Sequence, residues 1–332
     1  MTELIATELP NPAGAAPLRS PHSLRRTTSI DVTWPSGDAG DMLFEAAGRD
    51  CYTGSEGSEP TVMAADAFVA TLQQDRTIVN IGATPPRANI RELIGARGGG
   101  YLRQKIAESL VEEHKRGTLL YQLLDDLSGT SLIAGWAWSR WPNSPAAKRM
   151  EERVVDLRSK MEGVCIGFRL GSSALDTGAP STHRSSPVVP LINPQDPKGW
   201  HPMPDYSETS MRRARRMDIW FEDDIHIDAA FQDSATAPEG GRIAVHEYGL
   251  QLTVDAASGR VKTIGAIPHV LPFPECPSAV GKLQRLQNAP VSEFRSLILD
   301  ELAQVEGCTH LNDALRALAD VPQLIEALSS SC

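Results

Sequence analysis

The stretch "RRARRMDIWFEDDIHIDAAFQDS", residues 212–234, constrains the fold more than any other part of the chain. Apolar and polar residues alternate on both sides of an acidic turn, "EDD", which is the pattern of a β-hairpin. A second hairpin, "RIAVHEYGLQLTVDAASGRVKTIGAIPHVL", follows at 242–271 with the turn "AASG". Near the other end, "SIDVTWPSGDAGDMLFEAAGRDCYT" (29–53) reads as two strands around a Gly-containing turn. Residues 61–83 carry a short helix or strand and then "TIVNIGA", a buried strand by its apolar run.

Between these β sections the periodicity changes. "YLRQKIAESLVEEHKRG" (101–117) is amphipathic and ends in Gly, "TLLYQLLDDLSG" (118–129) is a helix with a Thr cap, and "AAKRMEERVVDLRSKMEG" (146–163) is a third, charged helix. "VCIGFRLGSSALDTG" (164–178) is expected to form a strand and then a Gly-Ser loop, and the proline-rich 179–211 to run as a long surface excursion. Helices are expected near 278–287, 291–304, 309–319 and 322–330, with Thr309 as the cap of the third. The class is therefore α+β: one antiparallel sheet built from both ends of the chain, covered by helices, with a helical insert at about 101–178. Residues 1–22, rich in Pro, Ala and Glu, are read as a disordered tail, and 23–332 as a single domain.

A chain of 332 residues with 41% hydrophobic content can bury a sizeable core. A net charge of −10 argues against nucleic acid or an acidic membrane as partner, and no apolar run approaches the ~18 residues of a membrane span. The N-terminus has no basic start followed by an apolar stretch, so no secretory signal is expected. Five scattered cysteines do not make a disulfide framework, which points to a cytoplasmic protein with reduced thiols. A homo-oligomer is compatible with this composition. There is no dinucleotide fingerprint, phosphate loop or zincin helix, and no cofactor is expected.

Several groups are candidates for chemistry. Cys308 and His310, at the start of a helix, combine with Cys276 into a donor set that would suit zinc, with His246 or His22 as a fourth ligand. The alternatives are that both thiols are small buried side chains, or that Cys308 is a reactive thiol favoured by the helix start. In "VHEYGL", His246 and Tyr248 share one face of a strand and Glu247 takes the other, so an imidazole and a phenol form a proton-transfer pair, or a half-buried packing pair. Asp233, beside Asp228 in "HIDAAFQDS", would need burial to raise its pKa into the range of a general base; otherwise Asp233–Ser234 is a turn. Arg169, followed by Ser172 and Ser173, is placed to clamp a carboxylate or phenolate, or to snorkel at a strand end. Trp136, Trp138 and Trp141 suit a flat aromatic ligand, although such clusters also build cores. The run "RRARR" reads as a solvated strand face.

"PFPECP" followed by "GCTHLND", with "RRMDIWFEDDIHIDAAFQDS", "VHEYGLQLTVD" and "LRRTTSIDVTWPSG", resembles a bacterial domain-of-unknown-function family over residues 24–53 and 212–328. The section 101–178 resembles an insert of a longer subset. That resemblance implies breakdown of lignin-derived aromatic dimers: cofactor-independent loss of formaldehyde from a phenylcoumaran bearing a primary alcohol, giving a stilbene. It would use an aromatic-lined pocket (Trp136, Trp138, Trp141, Ser172), a base (His246 or Asp233) and a donor to the departing phenoxide (Tyr248 or Arg169). The competing expectations are a zinc protein and a non-catalytic binding protein.

Overall fold

The computed structural model describes residues 11–176 and 184–330. Its centre is a nine-stranded antiparallel sheet with the order β4-β3-β2-β1-β6-β7-β8. The strands are β1 (Ser23–Thr33), β2 (Met42–Thr53), β3 (Thr61–Leu72), β4 (Ile78–Thr84), β5 (Ser186–Val188), β6 (Ser210–Phe221), β7 (Ile225–Thr236), β8 (Arg242–Val254) and β9 (Val261–Val270). Beyond β8 the sheet forks, with short β5 pairing residues 242–244 and β9 pairing 247–254. The two halves meet where β1 lies along β6 over its whole length. The α+β architecture expected from the two β sections is therefore the observed one.

Seven α-helices complete the described chain: α1 (Gly100–Ser109), α2 (Val111–Arg116), α3 (Leu119–Ile133), α4 (Pro145–Lys160), α5 (Phe294–Glu301), α6 (Thr309–Arg316) and α7 (Val321–Ser329). Thr118 caps α3 by accepting from the Tyr121 N–H, and Ser144 caps α4 through Ala147. Gly117, left-handed at φ 54°, ends α2. Helices of the insert and of the C-terminus lie side by side on one face of the sheet and bury two apolar clusters. One joins α1 and α3 to Ile30, Phe44, Phe68 and Ile81. The other joins the C-terminal helices to Ile219, Ile227, Phe231 and Leu250. The second face is crossed by irregular chain that seats Ala16 and Trp200 on Ala214.

Several local expectations change. β4 is an edge strand, with Ile78 and Ile81 buried and Val79, Asn80 and Gly82 exposed, rather than a buried strand. Residues 164–168 form no strand but a single 3-10 turn, Ile166–Phe168. Cys308, not Thr309, occupies the cap position of α6, and it offers no side-chain cap. Of the expected tail, residues 1–10 lie outside the described residues, while 11–22 are pinned down: Arg19 pairs with Asp196 and Ala16 donates to the Leu191 carbonyl. Part of the expected excursion, 179–183, also lies outside the described residues; beyond it Trp200 and His201 are buried.

Candidate functional site

The largest departure from the sequence reading is the run 212–216. Its four arginines are buried, because β6 is an inner strand with both faces covered. Burying a guanidinium costs several kcal/mol unless its hydrogen bonds are answered in full. Here each is answered by aspartate. Arg212 pairs with Asp31 and Arg216 with Asp218 and Asp228 on the face away from the helices. Arg213 and Arg215 project toward the helices. Arg215 takes Asp126 of α3 with two bonds of 2.5 and 2.6 Å. Arg213 takes both oxygens of Asp233 at 2.9 and 3.0 Å, and its third arm reaches Asp313 of α6 at 2.9 Å.

These pairs belong to a polar seam between the two apolar clusters. Arg103 of α1 bonds Asp313 at 2.6 Å, Arg316 of α6 takes Asp125 of α3, and Arg26 of β1 joins Asp50 to Asp320. Gly129 makes the approach of α3 feasible, since a Cβ there would lie 2.2 Å from Arg213 Nη1 and 2.5 Å from Asp313 Oδ2.

At one end of the seam the titratable candidates converge. Asp233 of β7 faces His246 of β8, whose Nδ1 is 3.3 Å from Asp233 Oδ2. The imidazole of His310, in the first turn of α6, stacks on His246 with ring centres 3.3 Å apart and planes 18° apart. His310 Nε2 lies 3.8 Å from the same Asp233 oxygen. Burial alone would raise the Asp233 carboxyl, but Arg213 and His246 hold it well below the usual carboxylate range. It is therefore ionised at neutral pH, and its pKa is lowered where the sequence reading asked for a raised one. Burial pushes both imidazoles below their ordinary value, His310 further because His246 lies against it. At neutral pH the pair is uncharged, and each ring retains a basic nitrogen.

Tyr248 continues the same face of β8 two residues beyond His246. Burial raises its phenol well above 10, and the thiols of Cys308 and Cys276 add to that. Tyr248 therefore stays protonated and can donate. Cys276 and Cys308 are buried beside it, and burial pushes both thiols up, so neither is a ready thiolate. Cys165 joins this group, with its thiol pushed up to about 11 by burial and by Cys308.

The remaining candidates lie elsewhere. Arg169 is exposed at the end of the 3-10 turn, Ser172 is buried, and Ser173 binds Glu275 through its hydroxyl and N–H. Trp141 donates from Nε1 to the Thr236 carbonyl at 3.1 Å. Trp136 is buried under Arg140, and Trp138 packs on Trp34 with ring centres 5.1 Å apart. Trp136 and Trp138 border a cleft of about 420 Å³ that Arg76 and Arg149 also line. Asp233, His246 and His310 are not among its walls.

Among the described residues, Asp233, His246 and His310 offer ligand atoms within 4.8 Å of one another. They fit a metal poorly. Both oxygens of Asp233 are engaged by a guanidinium that would repel a cation, and the stacked rings run parallel instead of converging on one point. The expected Cys276–Cys308–His310 set is divided: the thiols lie against Tyr248, and His310 turns to His246 and Asp233. Sequence reasoning missed Arg213 and Asp313. The available signal was the arginine run itself, inside a strand pattern that also carries Asp218, Asp228 and Asp233.

Residues 211–323 match a family model described as "Protein of unknown function (DUF2889)". The matched stretch contains Arg213, Asp233, His246, Tyr248, Cys276, Cys308, His310 and Asp313, whereas Trp136, Trp138, Trp141 and α1–α4 lie outside it. Among curated proteins and among solved structures, none matches the chain.

Proposed function

We propose that the chain is a carbon–carbon lyase in which the Asp233–His246–His310 cluster performs the proton transfer. The observation that carries this reading is an uncharged pair of stacked imidazoles oriented by an aspartate that Arg213 keeps ionised. Burial keeps the rings free of a proton at rest, and the fixed carboxylate beside them stabilises the positive charge the pair gains when it takes one up. The substrate class rests on the likeness of the C-terminal "GCTHLND" and of the insert to the longer subset of the family: a phenolic phenylcoumaran with a primary alcohol.

The chemistry is redox-neutral. The phenolate pushes open the furan ring, which expels the aryl oxygen as a phenoxide and leaves a quinone methide. The histidine pair takes the proton of the primary alcohol. The bond between the alcohol carbon and the ring-derived carbon then breaks. Its electron pair forms the stilbene double bond and restores the phenolate, and formaldehyde departs. Tyr248, kept protonated by burial, is the donor assigned to the phenoxide.

The test is incubation of purified, metal-analysed protein with such a phenylcoumaran, following stilbene absorbance and trapped formaldehyde together. Equal yields of both are expected. His246→Ala and Asp233→Asn should each lower kcat by about 100-fold or more, the usual contribution of a positioned base. Absence of turnover by the unaltered protein, or full activity in both variants, overturns the reading.

A further inference from the structure

The opposite face of the sheet holds a cavity of about 190 Å³ that the proposed lyase chemistry does not use. Three small residues on adjacent strands form its floor, Ala214 of β6, Ala230 of β7 and Gly249 of β8, and residues 13–17 form its roof. Glu247 lies in its wall. This glutamate is 3% exposed, yet no arginine, lysine or histidine among the described residues pairs with it. Among the described residues its oxygens accept only from Gln232 Nε2 at 2.8 Å and from the roof N–H of Ala13 at 3.0 Å. Every buried arginine of β6 has an aspartate, so this carboxylate without a counter-charge is an exception. The other full charges of the wall, Arg216 and Asp228, pair with each other. Trp200 forms another part of the wall, and its buried indole N–H has no acceptor among the described residues.

We propose that this cavity is a binding site for a small organic ammonium ion, with Glu247 as counter-charge and Trp200 as aromatic wall. A buried carboxylate lacking a cation is stabilised by one, and an indole face adds attraction for an alkylammonium. The unanswered indole N–H selects further for ligands that carry an acceptor, as an amino alcohol does. The cavity has room for about one such molecule and not for an aromatic dimer.

The test is calorimetric titration of the full-length protein with ethanolamine, and in parallel with ethylene glycol and acetate. Saturable binding of ethanolamine alone is expected, weakened at least 10-fold by Glu247→Gln and abolished by Ala230→Leu, which fills the floor and leaves the carboxylate in the chain. Equal binding of ethylene glycol, no binding of any probe, or unchanged affinity in folded Glu247→Gln protein overturns the proposal. These readouts are independent of turnover, so they stand apart from the fate of the lyase reading.

Discussion

Asp233 shows how one residue's partners decide its chemistry. Read in the sequence, it is a turn residue or a base waiting for burial. In the fold it is fully buried, and burial alone would have raised its pKa, but two bonds from Arg213 reverse the direction. In the proposed mechanism the proton-accepting role falls to His246 and His310. Of these, the sequence pointed to His246 as an acid–base group through its strand alternation with Tyr248. His310 was legible only as a potential ligand, because its stacking partner lies 64 positions away on another element. Gly129 is the other residue whose meaning emerges only in three dimensions. In a helix interior, alanine is ordinarily favoured over glycine by about 1 kcal/mol. Here the added methyl would be driven into Arg213 and Asp313. Gly129→Ala should therefore destabilise the protein by about 1–3 kcal/mol, the usual cost of overpacking. Gly135→Ala, with nothing within 4 Å of its Cβ, serves as the control. Urea unfolding of both variants tests this, and an unchanged or raised midpoint for Gly129→Ala would show that α3 can move away freely.

At the scale of elements, β6 is the strand that a local rule misassigns. Charged residues are rarely fully buried unless paired, so "RRARR" reads as solvent-facing in isolation. Asp218, Asp228 and Asp233 stand in the same stretch, but Asp31, Asp126 and Asp313 come from β1, α3 and α6, far away in the sequence. Hairpins fared better because their pairing is local: β6–β7 and β8–β9 turn where "EDD" and "AASG" stand. The strand expected at 164–168 failed for a related reason. Its apolar residues face the C-terminal cluster from a turn, with the Ile166 N–H donating to the Gly307 carbonyl. The Arg215–Asp126 pair lends itself to a cycle. Arg215→Leu alone leaves Asp126 buried without its main partner and should cost about 3–5 kcal/mol. The double variant Arg215→Leu/Asp126→Leu should recover much of that loss, since an apolar pair of similar volume costs little beside Phe231. Denaturant midpoints of the three variants decide it. A double variant no more stable than the single would mean that the pair supports neighbouring members of the seam.

For the molecule as a whole, the insert and the C-terminal helices share one sheet face, but their apolar clusters do not merge. The contact between them is made of arginine and aspartate, and neutral histidines are buried at its edge. The α+β class and the two-ended sheet were legible because alternation and turns are written locally. The seam was not, because its geometry exists only once both helical groups have docked. This arrangement makes stability depend on acidity in a specific direction. Burial pushes His201 down to about 3, and His246 and His310 also lie below their ordinary value. An unfolded imidazole takes up a proton as the pH falls past about 6.5, whereas the folded one does not. The unfolded state then binds more protons, so stability must fall with pH in that window. Each such histidine contributes about 1.4 kcal/mol per pH unit. The lowered aspartates Asp233 and Asp313 add nothing there, because their unfolded forms remain ionised until the pH nears about 4. Asp31 and Asp320, raised by burial, oppose the trend only as the carboxylate range is approached. Urea unfolding at pH 7.5, 6 and 5 should therefore show a loss of at least about 1.4 kcal/mol between pH 6 and 5, well above ordinary acid denaturation. Constant stability over that unit would mean that the histidines acquire their protons inside the fold, and the uncharged imidazole pair assigned to catalysis would have to be replaced by an imidazolium.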